Sequence, residues 1–243
     1  MKHIKLFEEF IEEGFNDPNI LKAFFMAGGP GSGKSFVATE LFGFPKDVVS
    51  SVSYHTGLKI VNSDIAFEKL AKDGGYDISK LGEIKKDQKE WEKIMAIRNK
   101  AKSITKKQEN NYLEGRLGLI IDGTGKDYDK LKKEKDLLDI LGYDTYMVFV
   151  NTSLDVAQER NQNRARKVPK EFIKDALINV QNNIGKFQNL FGNKNLFIVD
   201  NSSYDNKDAL NKVEKHLAKQ LKVPIQNQIG KKWLYENDPK NKK

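Results

Sequence analysis

The chain contains no cysteine, so disulfide frameworks and cysteine-held zinc sites are both excluded. That fits a reducing compartment, and the expected location is the cytoplasm. The three histidines, His3, His55 and His216, are scattered without metal-ligand spacing and read as surface or packing residues. No apolar run approaches the length of a membrane span, so no membrane partner is expected. Near the start, Glu8, Glu9, Glu12 and Glu13 interrupt any apolar segment a secretory signal would need. Internal repeats and long low-complexity tracts are also missing. What remains is a chain of 243 residues, enough for one sizeable core with an insertion or a tail.

Charge is plentiful and uneven. The formal net charge is +8, and residues 85–107 alone carry nine basic residues against three acidic ones. Residues 151–170 and 231–243 each add +3. A polyanionic partner is one reading of this distribution, and solvated lysine-rich helix faces are the other. Within residues 1–14, Ile4, Phe7 and Phe10 or Ile11 recur at helical spacing. This predicts a small amphipathic helix over 1–19, either docked on the core or serving as a segment that binds a protein partner.

The most specific signal is the run Gly28-Gly29-Pro30-Gly31-Ser32-Gly33-Lys34-Ser35, a complete G-x-x-x-x-G-K-[ST] loop. Such a loop turns backbone N–H groups around nucleotide phosphates. Lys34 is expected to reach the β- and γ-phosphates, and the Ser35 hydroxyl to sit on Mg²⁺. Context strengthens the reading. Lys22-Ala-Phe-Phe-Met-Ala27 before the loop reads as a buried parallel strand, and Phe36 to Phe42 after it as the first turns of a helix. The cradle is therefore Gly28 to Phe36, at a helix N-terminus that favours an anion.

Further along, Lys59 to Asn62 reads as a second strand, with Ser63-Asp64 capping a helix over 65–72 that Gly74-Gly75 stops. A charged insertion over 76–115 carries a narrow stripe on one long helix: Trp91, Ile94, Ile97 with Arg98, Ala101, Ile104 and Gln108. Leu117 to Asp122 and Asp144 to Val150 read as strands, separated by a helix over 128–141. Ser153 caps a helix over 154–163. Arg164 to Pro169 is a basic break, and Pro169 fits the first turn of a helix running to about Phe191. A strand over 195–199 and a helix over 205–221 follow, and beyond Pro224 a poorly packed basic tail is expected over 222–243. Strands alternating with helices predict an α/β domain with a five-stranded, mostly parallel sheet.

In such a sheet, ligands bind at the carboxyl ends of the strands. The first strand ends in the phosphate loop, the second at Asp64, the third at Asp122-Gly123-Thr124, and the fourth feeds Arg160 to Arg166. Phosphoryl transfer needs a phosphate cradle, a metal, a group orienting the nucleophile and positive charge near the transferring oxygens. Asp64 is then a candidate general base, with a helix cap as the alternative. Arg164, with Arg160 or Arg166, is a candidate for transition-state stabilisation from a lid, with a solvated arginine as the alternative. Asp122 is a candidate to hold a metal-bound water or to orient the acceptor, beside Thr124.

These pieces occur in order: Gly28 to Ser35, Val61-Asn-Ser-Asp64, Leu119-Ile-Ile-Asp-Gly-Thr124, Gly142-Tyr143 and Arg160-Asn-x-x-Arg164-x-Arg-Lys-Val-Pro169. The set resembles the P-loop kinases that include zeta toxins and phage-type polynucleotide 5′-kinases, over roughly residues 20–200. The resemblance implies the P-loop kinase fold over 20–221, with an insertion at about 76–115 and a lid at about 160–170. It implies ATP or GTP and Mg²⁺ as ligands, Asp64 as general base, and Arg160 and Arg164 as phosphate contacts.

One position departs from the polynucleotide kinases. They place a basic residue three positions after the base, and here that position is Phe67. The phosphate contact is either missing or supplied from elsewhere, with the basic insertion as the candidate source. Ile120-Ile-Asp-Gly-Thr124 looks more like the zeta-toxin branch, which phosphorylates a nucleotide sugar. The expected function is transfer of a γ-phosphoryl group to a hydroxyl of a phosphorylated acceptor, either a nucleic-acid 5′-hydroxyl or a nucleotide sugar. A motor or switch NTPase is disfavoured, since no Asp-Glu pair closes the Leu117 to Asp122 strand. The alternative outside catalysis is a nucleotide-binding or structural protein that retains the loop.

Overall fold

The computed structural model describes residues 15–44, 52–53, 56–163, 168–203 and 207–241. Residues 1–14 of the N-terminal helix expected over 1–19, and the arginines 164 and 166, lie outside the described residues.

Five strands form one sheet in the order β2-β3-β1-β4-β5: β1 (Lys22–Ala27), β2 (Lys59–Val61), β3 (Leu119–Asp122), β4 (Asp144–Asn151) and β5 (Leu196–Asp200). Every neighbouring pair is parallel, so the sheet is fully rather than mostly parallel among the described residues. β1 is central and buried along its whole length. This explains its continuous apolar run, because helices cover both faces. Successive side chains alternate between the two cores. Phe24 and Met26 join α1 (Lys34–Phe42) on one face, along with the helix over Lys207–Lys222. Ala23, Phe25 and Ala27 join the helices on the other.

The remaining helices are α2 (Ser63–Asp73), a short α3 (Leu81–Ile84), α4 (Gln88–Glu114), α5 (Tyr128–Ile140), α6 (Leu154–Gln162), α7 (Lys170–Asn182), α8 (Ile184–Phe191), α9 (Lys207–Lys222) and α10 (Gln228–Asn237). Several differ from the sequence reading. The helix expected from Pro169 to Phe191 is two helices. Asn183 breaks it by donating its side-chain amide to the carbonyls of Gly125 (3.0 Å) and Lys126 (3.2 Å), which ties the loop after β3 to the break. Pro169 stands at the cap position and not inside the first turn. The insertion helix α4 buries Ile94, Ala101 and Thr105, whereas Ile104, expected on the inner stripe, is 38% exposed. The segment after Pro224 is not a loose tail. Asp144 accepts the N–H groups of Gln226 and Asn227 at 2.8 Å each, and α10 follows with Gly230 against Gly142.

The arrangement puts the phosphate loop at the carboxyl end of the central strand. β3 and β4 flank it. The connection from β1 to β2 lays α1 on one face of the sheet, and that from β3 to β4 lays α5 on the other. Such a switch point opens a crevice at the strand ends.

Candidate functional site

The phosphate loop is close-packed against its surroundings. Gly28, Gly31 and Gly33 have φ of 158°, 81° and 84°. The left-handed values at Gly31 and Gly33 favour glycine. A Cβ on Gly31 would strike the Ala157 carbonyl at the base of α6, and one on Gly33 would strike the Asn201 amide. Gly33 then caps α1, so Lys34 opens that helix.

Neighbouring strands hold the loop. The Gly28 N–H donates to the Thr124 carbonyl (3.0 Å), joining the loop to the turn after β3. Asn201, directly after β5, donates its side-chain amide to the Ser32 carbonyl (2.6 Å). Arg160, on α6, donates to the Asn201 carbonyl (2.9 Å) and more weakly to that of Ser32 (3.4 Å). The guanidinium thus reaches the loop from a helix. Phe36 is exposed on the first turn of α1.

Inside the crevice Lys34 folds back, donating from Nζ to the Gly28 carbonyl at 2.7 Å. Asp122, at the end of β3, is partly exposed as a residue, but its carboxyl is enclosed. Burial raises its carboxyl above the usual carboxylate range, with the Asp64 charge adding to the shift and Lys34 and Asn62 opposing it. One Asp122 oxygen accepts from Asn62 Nδ2 (2.7 Å), while the buried Oδ1 has no hydrogen-bond partner, and neither does the buried Ser32 hydroxyl. Two orphaned polar atoms beside a glycine cradle and an ammonium fit a phosphate chain with its counter-ion. Ser35 and Asp122 are the residues that would hold Mg²⁺.

The expectation of Ser63-Asp64 as the cap of α2 is corrected. The cap is Asn62, whose side-chain oxygen accepts the Asp64 N–H at 2.7 Å. The Asp64 carboxylate is left free of capping and is 51% exposed. Its partner is Arg98 of α4, with Nη1 2.5 Å from Oδ1, and the same guanidinium lies over the Phe67 ring at 4.9 Å.

Lys34, Asp64 and Asp122 therefore lie within electrostatic reach of one another, Thr124 and Arg160 bond the backbone of the loop, and Ser35 is on the first turn of α1. Three residues at the site stand outside the sequence expectation. Asn201 follows the fifth strand end, whereas that expectation draws on the first four. Asn62 sits inside a motif already singled out, as a polar residue closing a strand. The signal for Arg98 was a cation on an otherwise apolar helix stripe.

Residues 24–183 match the AAA domain family, AAA_33. No curated protein matches the chain in sequence. Among solved structures, a candidate kinase from Chloroflexus aurantiacus is similar at 13% identity, covering 81% of this chain and 98% of its own, with a TM-score of 0.51. The complex of AvrRxo1-ORF1 with AvrRxo1-ORF2 is similar at 12% identity, covering 95% of this chain and 83% of that one, with a TM-score of 0.53. Its form with sulphate ions gives 12% identity, coverages of 96% and 80%, and a TM-score of 0.52. These likenesses support a kinase-like P-loop fold.

Proposed function

We propose that this chain, which belongs to the AAA domain family, is an ATP-dependent kinase acting on a hydroxyl of a phosphorylated acceptor, within the zeta-toxin and polynucleotide-kinase group. The observation that carries the reading is the pair of carboxylates at adjacent strand ends. The Asp122 carboxyl is enclosed and feels the charges of Lys34 and Asp64, while Asp64 is half exposed and not spent on capping. Two acids in contrasting environments suit two roles.

In this mechanism the glycine loop and Lys34 hold the donor phosphates, and Arg160 steadies the loop from α6. Ser35 and Asp122 would hold Mg²⁺, which would supply charge neutralisation for the transferring group. Asp64 takes the proton of the acceptor hydroxyl as its oxygen bonds to the γ-phosphorus and the bond from phosphorus to the β,γ-bridging oxygen breaks. The charge left on the departing diphosphate falls to Lys34. Arg164 and Arg166 complete the positive surround in this reading, and Thr124 orients the acceptor.

An ATPase motor is a poorer fit. β3 closes on Asp122-Gly123 with no adjacent glutamate to activate water. The acceptor is either a nucleic-acid 5′-hydroxyl, favoured by the basic α4, or a nucleotide sugar, favoured by the Asp122-Gly-Thr124 turn.

Incubation with γ-labelled ATP and Mg²⁺ beside a 5′-hydroxyl oligonucleotide or a nucleotide sugar tests this. Label is expected on one acceptor. Asp64→Asn should lower transfer by ~100-fold or more with ATP binding retained, and Lys34→Ala should weaken both. Transfer that survives Asp64→Asn would overturn the mechanism, and label on neither acceptor would overturn the kinase assignment.

A further inference from the structure

The insertion helix α4 sets one cation against Asp64. The Arg98 side chain is 24% exposed, its guanidinium lies over the Phe67 ring at 4.9 Å, and Nη1 stands 2.5 Å from Asp64 Oδ1. That nitrogen is buried and has no aligned hydrogen-bond acceptor, so the contact with Asp64 is an ion pair with an unspent donor. A buried donor without an aligned acceptor is unfavourable, and an ion pair to a half-exposed carboxylate offsets that only weakly. A phosphate offers several oxygens that match the planar fork of a guanidinium in two parallel bonds. The aromatic face beneath holds that fork in position.

Between α2 and α4 lies a separate cleft of about 210 Å³, bordered by Asn62, Ile65, Lys69, Ile104 and Gln108 and not by Arg98 or Asp64 themselves. Its walls mix apolar side chains with Lys69 and Gln108. Its size, below the roughly 300 Å³ of a typical small-molecule pocket, suits part of a ligand and not a whole nucleotide. Ile104 follows Arg98 by six residues, about 9 Å along the helix.

We propose that Arg98 is a binding residue for an anionic phosphate or diphosphate group of the acceptor, and that this group and Asp64 compete for its guanidinium. The inference rests on the kinase reading above and assigns the side chain that recognises the phosphate of its acceptor. An acceptor lacking the anion leaves Asp64 paired with Arg98. A phosphorylated acceptor draws Arg98 away and frees the carboxylate. Acceptor specificity is thus coupled to activation of the base through one side chain.

The test is an equilibrium titration of inorganic pyrophosphate into the full chain, with the phosphate loop saturated by ADP and no metal added. Arg98→Gln is expected to weaken pyrophosphate binding at least tenfold with ADP affinity unchanged. Asp64→Asn is expected to tighten it at least threefold, because the competing carboxylate is gone. Glu68→Gln, the same charge change on the same helix, and Lys132→Gln, a remote surface cation, should each leave it within twofold. The proposal is overturned if Arg98→Gln has no effect, if Lys132→Gln weakens binding equally, or if Asp64→Asn does no more than Glu68→Gln. Should Arg98→Gln not fold, the Asp64 and Glu68 comparison decides by itself. Failure here leaves phosphoryl transfer standing, whereas absence of transfer leaves the pyrophosphate site standing.

Discussion

The residues around the phosphate loop are set by packing as much as by chemistry. Asp122 is the clearest case: burial holds its carboxyl above the usual range, so ionising it costs the folded chain stability. The sign follows. The folded state keeps the proton over a range where the unfolded chain has lost it, so stability falls as pH rises through that window. Asp122→Asn is therefore expected to raise the melting temperature by about 2 °C or more at neutral pH, with the gain vanishing near about pH 4, while phosphoryl transfer drops. Thermal unfolding of both proteins at the two pH values checks the stability half, and the labelling assay checks the other. The glycines, Lys34, Ser35 and the two aspartates were legible as types at fixed spacing, because a phosphate cradle is local. Arg98 was not assignable, because its partners Asp64 and Phe67 lie on another helix and nothing in its neighbourhood of sequence points to them.

Elements were legible where periodicity or punctuation was strong. β1 and β4 appear as continuous apolar runs, and Gly74, Gly115 and Gly192 mark helix ends. Two elements depended on distant contacts. The break between α7 and α8 is made by the Asn183 amide on a loop far away in sequence. The segment after Pro224 looked loose because lysines and a proline dominate it, yet Asp144 and Asn227 anchor α10 through backbone groups. That helix sits where Gly142 and Gly230 bring two backbones together, and a Cβ on Gly230 would strike the Gly142 carbonyl. Gly230→Val is expected to cost about 1–3 kcal/mol and to lower the denaturant midpoint without changing the affinity of the distant crevice for ATP. Equal loss of ATP binding in the folded fraction would contradict that separation.

At the scale of the molecule, Lys22 ties the start of the central strand to the end of α9. Its ammonium donates to the carbonyls of Gln220 (2.7 Å), Leu221 (2.5 Å) and Val223 (2.8 Å). Burial outweighs the nearby Asp144 charge and lowers its pKa from 10.5 to about 8. Between those values the unfolded chain binds a proton that the folded chain does not, so this group makes stability rise with pH. Tyr143 and Tyr146, pushed upward by burial, act in the opposite direction, but only above their ordinary range. Urea unfolding from pH 8 to about pH 10 should show a rising contribution in the native sequence that Lys22→Met abolishes. Identical pH slopes in the two proteins would show that Lys22 does not carry it.

The sequence by itself determined the α/β alternation, the phosphate loop between its strand and helix, and the placing of acids at strand ends. Each depends on residues a few positions apart, where periodicity, backbone angles and turn chemistry act directly. Only the tertiary structure decided which ends adjoin the loop, that Asn201 and Arg160 brace it, and that α4 lays a guanidinium on Phe67 against Asp64. Those contacts join residues far apart in the chain, and their partners are chosen by sheet order and helix packing, which no local pattern encodes.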